Sequence, residues 1–183
     1  MPHLNLIMAC TGLMGFLGTW FVRVNDMVIA KGIDNLDYHA PRILSDLWQG
    51  CKQELSIPED LTASIYHFGI SENTGLVHSY RYKSVENFRS DRIEPYGFLV
   101  KPECQIPENM TAPEDFITMM DEQRLIQSSK PKNERVYVGG EIHIHHLSQD
   151  GYRMYTLHRF EDYSRDETAI YDSHHIAEVT RPE

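Results

Sequence analysis

The most regular pattern in the sequence is an alternation of polar and apolar residues from Val136 to Leu147, followed by strand-like composition from Tyr152 to Phe160. Successive side chains of a strand point to opposite faces, which places Glu141, His143 and His145 on one face. The connecting segment SQDG contains the Asp-Gly pair typical of tight hairpin turns. The pattern therefore predicts a β-hairpin that carries the densest group of histidines in the chain.

Further strands are predicted in the first hundred residues. The apolar run His3–Cys10 is typical of a buried strand. Thr62–Ile70 and Leu76–Lys83 are rich in β-branched and aromatic residues and flank the loop SENTG, which predicts a second hairpin. Gly97–Lys101 is predicted as a short strand that ends at Pro102.

Three segments carry the signals of helices. The first is predicted from Leu13 to Asn25, after a turn at a Thr-Gly pair. Apolar residues at three- and four-residue spacing predict an amphipathic helix over Pro41–Leu55, with the proline in its first turn and the polar segment Gly32–His39 as a connection before it. A Thr-x-x-Glu box that begins at Thr111 predicts a third helix over Pro113–Gln127.

The order of these elements is strand, two helices, a strand hairpin, a short strand, a helix and a second hairpin. Strands and helices that come in blocks indicate an α+β fold with antiparallel sheets rather than a βαβ series. At 183 residues the chain is large enough for one well-packed core. We expect a single domain over residues 1–163 and a polar C-terminal tail over 164–183.

The charge composition of the chain argues against some classes of binding partner. Acidic residues outnumber basic ones by 27 to 17, which gives a net charge of −10. Such a charge repels phosphate backbones and anionic lipids, so we expect neither nucleic-acid nor membrane binding. The three cysteines, Cys10, Cys51 and Cys104, lack CxxC spacing. They are typical of reduced thiols, and we expect a cytoplasmic protein.

The segment Leu4–Val22 contains no charged residue and approaches the length of a membrane span. Asn5, Thr11 and Thr19 interrupt it, and its three glycines favour close packing. We interpret the segment as the buried strand and the first helix, and we predict no membrane span. The residues before it include no lysine or arginine, so a secretory signal is not expected.

Four segments follow one another as they do in a known enzyme family. They are the strand LIMACTG that ends at a glycine before a helix, the hairpin around SENTG, the strand YGFLVKP before a helix, and the hairpin VGGEIHIHHL…DG. This order, over His3–Phe160, resembles the proteasome-like N-terminal nucleophile (Ntn) hydrolases. The resemblance implies an αββα sandwich of antiparallel sheets between helices, amide-bond hydrolysis as the parent activity, and assembly into a homo-oligomer.

The resemblance does not transfer a catalytic residue. In that family a Thr, Ser or Cys at the mature N-terminus is the nucleophile and its own amine is the base. The resemblance places this residue, and the acid and lysine that assist it, before Met1. The catalytic residues are therefore unknown, and we expect a truncated or inactive relative, or a non-catalytic assembly subunit. Cys10 and Thr11 lie in an apolar stretch and are interpreted as packing residues.

The histidine-bearing face predicts an alternative function. His143 and His145 share it with Glu141, and His158 on the partner strand supplies a third ligand if the register agrees. Imidazole and carboxylate groups in this arrangement are able to bind a divalent metal. The chain would then be a small metal-binding protein, with no other cofactor expected. The competing interpretation is an ordinary polar strand face, and the pair His174-His175 is interpreted as part of the solvated tail.

Overall fold

The computed structural model describes residues 5–27, 30–95 and 99–164, which fall into two compact units. The first unit combines the described part of 1–97 with His145–Arg153, and the second combines the described parts of 98–144 and 154–183. In chain order the elements of these ranges are β1 Leu6–Gly12, α1 Met14–Met27, α2 Ile33–Leu55, β2 Ala63–Ile70, β3 Val77–Lys83, a 3-10 turn at Ser84–Glu86, β4 Ser90–Arg92, α3 Glu114–Ser128, β5 Glu141–Ser148 and β6 Gly151–Arg159.

The first unit is built on a four-stranded antiparallel sheet in the order β1-β2-β3-β4. Its register pairs Met8 with His67, His67 with Tyr80, and Tyr80 with Arg92. Residues that pair across neighbouring strands point to the same side, so these four side chains form one row across one face. This row of side chains runs from the apolar Met8 on β1 to the charged Arg92 on β4. Its polar end therefore lies at β3 and β4.

Helices α1 and α2 pack on this same face and supply most of its core. Phe16 of α1 and Trp48 of α2 meet edge to face, with ring centroids 5.0 Å apart. The buried apolar residues recur every three or four positions in the helices and every second position in the strands: Phe16, Trp20, Val24, Ile33, Leu36, Ala40, Leu44, Trp48, Ala63, Ile65, Tyr80 and Tyr82. A large apolar side chain removed from water contributes about 1.5–3 kcal/mol. This burial holds both helices on the sheet.

Helix α2 is longer than predicted, and the prediction of a connecting segment over Gly32–His39 is wrong. The helix begins at Ile33 and continues through Pro41, which lies inside it rather than in its first turn. A proline in a helix interior costs about 3 kcal/mol because it lacks an N–H group and crowds the preceding turn. The burial of Ile33, Leu36 and Ala40 against the sheet offsets that cost. Tertiary packing therefore decides where α2 begins.

Sheet β5-β6 has two strands and confirms the hairpin predicted around SQDG. Its first strand begins at Glu141, so Val136–Gly140 is not part of the strand as predicted. The strand predicted over Gly97–Lys101 is wrong for Leu99–Lys101, which do not belong to any strand, and Gly97 and Phe98 lie outside the described residues. Strand composition alone does not form a ladder without a neighbouring strand to pair with. Helix α3 matches the predicted third helix to within one residue at each end.

Mixed helices and antiparallel sheets place the protein in the α+β class, as predicted. Over the described ranges, none of the helices combines the length and the apolar character that a membrane crossing requires. The single domain over 1–163 stays a prediction. His3, Leu4, the tail residues 165–183 and the pair His174-His175 lie outside the described residues.

Candidate functional site

The carboxylate of Asp34 is the centre of a polar cluster in the first unit. Its oxygens accept hydrogen bonds from four side chains: Ser71 Oγ at 2.6 Å, Asn73 Nδ2 at 2.9 Å, His78 Nδ1 at 2.7 Å and Tyr80 OH at 2.7 Å. Desolvation by burial acts to raise the pKa of this carboxyl, but the hydrogen bonds stabilise its charged form more strongly and hold the pKa well below its usual range. Asp34 is therefore ionised at neutral pH.

Three pieces of chain bring these groups together. Asp34 lies in the first turn of α2, and its donors come from the loop 71–76 and from one face of β3. Glu72 fastens the loop to the helix, because its Oε2 accepts from the backbone N–H of Asp34 at 3.0 Å and its Oε1 from that of Asn35 at 2.6 Å. A carboxylate at a helix N-terminus satisfies amide groups that have no acceptor within the helix. The helix cap thus fixes the loop that carries the donors.

The hydrogen bonds of His78 determine which of its ring nitrogens carries the proton. Its Nε2 lies 2.8 Å from Nη2 of Arg92. A guanidinium group only donates, so Nε2 accepts and carries no proton. The proton of the neutral ring is then on Nδ1, from which it is donated to Oδ1 of Asp34. The carboxylate therefore sets both the tautomer and the orientation of the imidazole.

A hydroxyl group completes this arrangement. Thr74 Oγ1 lies 3.2 Å from His78 Nε2. The same oxygen accepts from the backbone N–H of Leu76 at 3.3 Å, which leaves its own hydrogen to share the Nε2 lone pair with Arg92. Thr74 is exposed, whereas the side chains of His78 and Asp34 are only 6% and 17% exposed. A hydroxyl, an imidazole and a carboxylate are thus joined in series, in the order that activates a nucleophile in hydrolases.

A second carboxylate, one turn further along α2, extends the network towards the core. Asp37 accepts from the hydroxyl of Tyr82 at 2.7 Å and from the hydroxyl of Ser90. Burial, together with the neighbouring carboxylates, raises the pKa of both Tyr80 and Tyr82. These phenols stay protonated and act as donors that tie the sheet to the helix. Asp37 is a structural member of the cluster.

His67 is fully buried and belongs to the core rather than to this site. Its Nε2 accepts a 2.8 Å hydrogen bond from the indole N–H of Trp20, whose ring stacks on the imidazole. Its Nδ1 is buried and finds no hydrogen-bond partner within the described ranges. Desolvation by burial lowers the pKa of His67 to about 3. A histidine that stays neutral in a closed core has no route to a substrate.

The predicted metal-binding histidines lie on the hairpin, each with a neighbour of its own. Nδ1 of His143 lies 3.3 Å from the hydroxyl of Thr156, and its Nε2 lies 3.4 Å from a carboxylate oxygen of Glu141. His145 Nδ1 contacts the hydroxyl of Tyr152 at 2.8 Å. The ring of His158 packs edge to face on Phe160. In the described part of the chain no three His, Cys, Asp or Glu side chains are grouped to hold an ion, and the metal site stays a prediction.

No family model matches the chain, and no curated protein matches it. The resemblance to Ntn hydrolases therefore stays a prediction.

No pattern in the sequence predicts that the residues of this cluster lie close together in the fold. The sequence predicts the strand Leu76–Lys83, which carries His78 and Tyr80, and the SENTG loop before it. Asp34 lies in the segment that the sequence predicts as a connection, and 44 residues separate it from His78. Its spacing of three residues from Asp37 becomes informative only when α2 is seen to begin at Ile33. Cys10 is half-buried and packs against the core, where burial raises the pKa of its thiol, so it offers no reactive thiolate.

Proposed function

We propose that this protein hydrolyses carboxylic esters or amides with Thr74 as the nucleophile and His78 as the general base. Asp34 is the positioning residue that holds the imidazole. The observation that carries the proposal is the continuous series of hydrogen bonds from Thr74 Oγ1 to His78 Nε2, at 3.2 Å, and from His78 Nδ1 to Asp34 Oδ1, at 2.7 Å. Nucleophile, base and orienting acid within hydrogen-bond reach are the geometric signature of covalent acyl transfer.

The reaction divides into two steps. In the first, Thr74 Oγ1 forms a bond to the acyl carbon while its proton passes to Nε2 of His78. The tetrahedral intermediate then breaks its bond to the alcohol or amine, which leaves with that proton, and an acyl ester of Thr74 remains. In the second step a water molecule gives a proton to Nε2 and attacks the ester. Carboxylic acid is released, and the proton returns to the threonine oxygen.

The burial of the three groups suits these roles. The exposed hydroxyl of Thr74 is open to a substrate. The Asp34 carboxylate is partly buried, and its interaction with a developing imidazolium is stronger there than in bulk water. In this proposal the nucleophile is a hydroxyl in an internal loop, whereas Ntn hydrolases use the residue at the N-terminus. The substrate class, a carboxylic acid derivative, is the same.

The αββα sandwich that the resemblance implies is part of this proposal. Its support is the order of a strand, two helices and an antiparallel strand pair in the first unit. The sheet face opposite the helices carries the apolar side chains of Ile7, Phe68 and Val77 together with the ion pair of Arg81 with Asp91, so a second sheet would cover only the apolar part of this face. The homo-oligomer is proposed on the same basis, because outer strands such as β1 and β4 are templates for another chain. A mass of only 21.3 kDa by light scattering at micromolar concentration would contradict it.

The hydrolase proposal is tested with 4-nitrophenyl esters in the wild-type protein and in Thr74→Val, which removes the hydroxyl and keeps the shape. We expect a burst of one nitrophenol per chain in the wild type, a mass increase of one acyl group on the peptide that contains Thr74, and neither in the variant. Thr62→Val is the matched control, because Thr62 is also exposed and lies outside the cluster. Equal rates for the wild type and Thr74→Val would show the proposal to be wrong.

A further inference from the structure

Arg92 is placed unusually for an arginine in an acidic protein. It is exposed, and its Nη2 donates at 2.8 Å to a neutral imidazole nitrogen rather than to an acid. The neighbouring Arg81 pairs with Asp91 on the opposite face of the sheet. Within the described ranges, by contrast, no Asp or Glu oxygen lies within ion-pair distance of the Arg92 guanidinium. Its remaining N–H groups are therefore available to an anionic ligand.

The contact has a chemical consequence for the base. The lone pair of His78 Nε2 that must take the proton of Thr74 is the lone pair to which Arg92 donates. A base whose lone pair accepts a hydrogen bond from a fixed cation is a poor proton acceptor. As long as Arg92 stays in this position, Thr74 is not activated. Hydrolysis requires that something draws the guanidinium away.

We propose that the substrate does this with a carboxylate of its own, so that the enzyme acts on anionic esters or amides. A carboxylate pairs with a guanidinium through two parallel hydrogen bonds, which is a stronger arrangement than the single bond to a neutral nitrogen. The pairing moves Arg92 off Nε2 and frees the base at the moment when the substrate is bound. Arg92 thus selects anionic substrates, and it keeps His78 from accepting a proton until such a substrate binds. This inference rests on the hydrolase function proposed above.

The charges around the site agree with this role. Asp34 and Glu72 are both part of the cluster, and the whole chain carries a net charge of −10. A carboxylate without a dedicated cation would be repelled from this surface. Arg92 supplies that cation next to the nucleophile. Neutral substrates lack the group that displaces it and would meet a blocked base.

The first experiment compares two esters of similar size, mono-(4-nitrophenyl) glutarate and 4-nitrophenyl valerate. For the wild type we expect a kcat/KM for the anionic ester at least about tenfold above that for the neutral one, after correction for the uncatalysed rates. In Arg92→Gln the preference should disappear and the neutral ester should be hydrolysed faster than by the wild type. Arg89→Gln, which removes an exposed arginine from the same segment, should keep the preference.

The second experiment does not depend on turnover. Glutarate, which has no bond to hydrolyse, is titrated into protein labelled with 15N in its histidines, and the His78 resonances are assigned by their loss in His78→Gln. We expect a saturable shift of the Nε2 signal in the wild type and in Arg89→Gln, and none in Arg92→Gln. The shift reports the loss of the Arg92 hydrogen bond directly.

The outcomes separate the two proposals. A glutarate-dependent shift without any hydrolysis that Thr74→Val abolishes would reject the hydrolase and keep Arg92 as a carboxylate-binding residue. Hydrolysis without a preference for the anionic ester, or a preference that survives in Arg92→Gln, would overturn the role of Arg92 and leave the hydrolase in place. An Arg92→Gln variant that is slower on the neutral ester would also overturn it, because the guanidinium would then assist the reaction instead of blocking it.

Discussion

His78 and Asp34 are 44 residues apart in sequence and meet at 2.7 Å, Nδ1 to Oδ1, between a strand and the first turn of a helix. This contact gives the imidazole one tautomer and one orientation. It also couples the start of α2 to β3, because the same carboxylate holds the loop residue Ser71 and the strand residue Tyr80. Catalysis and local stability therefore depend on one side chain, and the two effects have to be measured separately.

Asp34→Asn is expected to lower kcat by about a thousandfold with a much smaller change in KM, because an amide stabilises the wrong tautomer of the imidazole and cannot balance an imidazolium charge. Steady-state kinetics with the glutarate ester gives both constants. Asp46→Asn is the control, since Asp46 is exposed on the same helix. A parallel loss of activity and of folded protein by circular dichroism would assign Asp34 a structural role only.

The buried His67 predicts how stability depends on pH. Its pKa is about 3 in the folded protein, against 6.5 for the free side chain. Between these values the unfolded chain binds the additional proton, so the contribution of this group to stability is complete above about pH 6.5 and is lost as the pH falls towards 3. The slope is about 1.4 kcal/mol per pH unit.

His67→Gln keeps an acceptor for the indole N–H of Trp20 and removes the titration. We expect the free energy of unfolding of this variant, from urea titrations, to change less between pH 6.5 and 4.5 than that of the wild type. Exposed His146 gives the matched comparison in His146→Gln, which should follow the wild type. Identical slopes for the wild type and His67→Gln would show that this histidine is not buried in its neutral form.

Glu72 is expected to stabilise the start of α2. Glu72→Ala leaves two backbone N–H groups without their acceptor and should lower the free energy of unfolding by about 1 kcal/mol. Glu59→Ala, at an exposed position outside the cap, should have little effect. Calorimetric melting measures both.

A substitution at Gly32 also tests whether the Glu72 carboxylate caps α2. A Cβ at this position would lie 2.2 Å from Oε2 of Glu72, so Gly32→Ala should displace the capping carboxylate. Glu72→Ala removes that carboxylate but keeps the Cβ of residue 72, which would lie 2.8 Å from the new methyl group, so Gly32→Ala should still cost stability in this background but less than in the wild type. Strict additivity of the two substitutions in a double-mutant cycle would argue against the cap.

The metal prediction for the hairpin is tested by calorimetric titration of zinc. If His143, His145 and His158 bind the ion, affinity should fall below about pH 6 as the imidazoles become protonated, and the melting temperature should rise with zinc concentration. His143→Ala should abolish that rise, whereas His174→Ala should not. Zinc binding no tighter than in the triple variant without the three histidines would leave this face an ordinary polar surface.

Much of the secondary structure was predictable, because periodicity and turn residues are local signals. The hairpins around SENTG and SQDG and the helices α1 and α3 follow from them. The start of α2 did not, since Pro41 is a local signal for a helix start and the burial that overrides it is a tertiary effect. The three-residue β4 was also missed, because so short a strand is defined only by its pairing with β3.

The candidate site was beyond prediction for the same physical reason. Asp34, Thr74, His78 and Arg92 come from a helix, a loop and two strands, and each is unremarkable in its own segment. Their chemistry arises from distances that the register of β2, β3 and β4 sets. The histidines that stood out in the sequence did so because they are close in sequence, which is a weaker signal than closeness in space.

The two tyrosines on β3 also act on the folding of the sheet. Tyr80 reaches Asp34 and Tyr82 reaches Asp37, and both bonds require the pairing of His67 with Tyr80. If β3 slipped by one residue, its side chains would exchange faces, and two carboxylates of α2 would lose their phenol donors in a partly buried place. Each lost bond to a charged group costs about 1.5–3 kcal/mol. The cluster that we propose to be catalytic therefore also fixes the register of β2 and β3. It raises the free energy of a misaligned strand pair, so the folding chain does not accumulate in that arrangement.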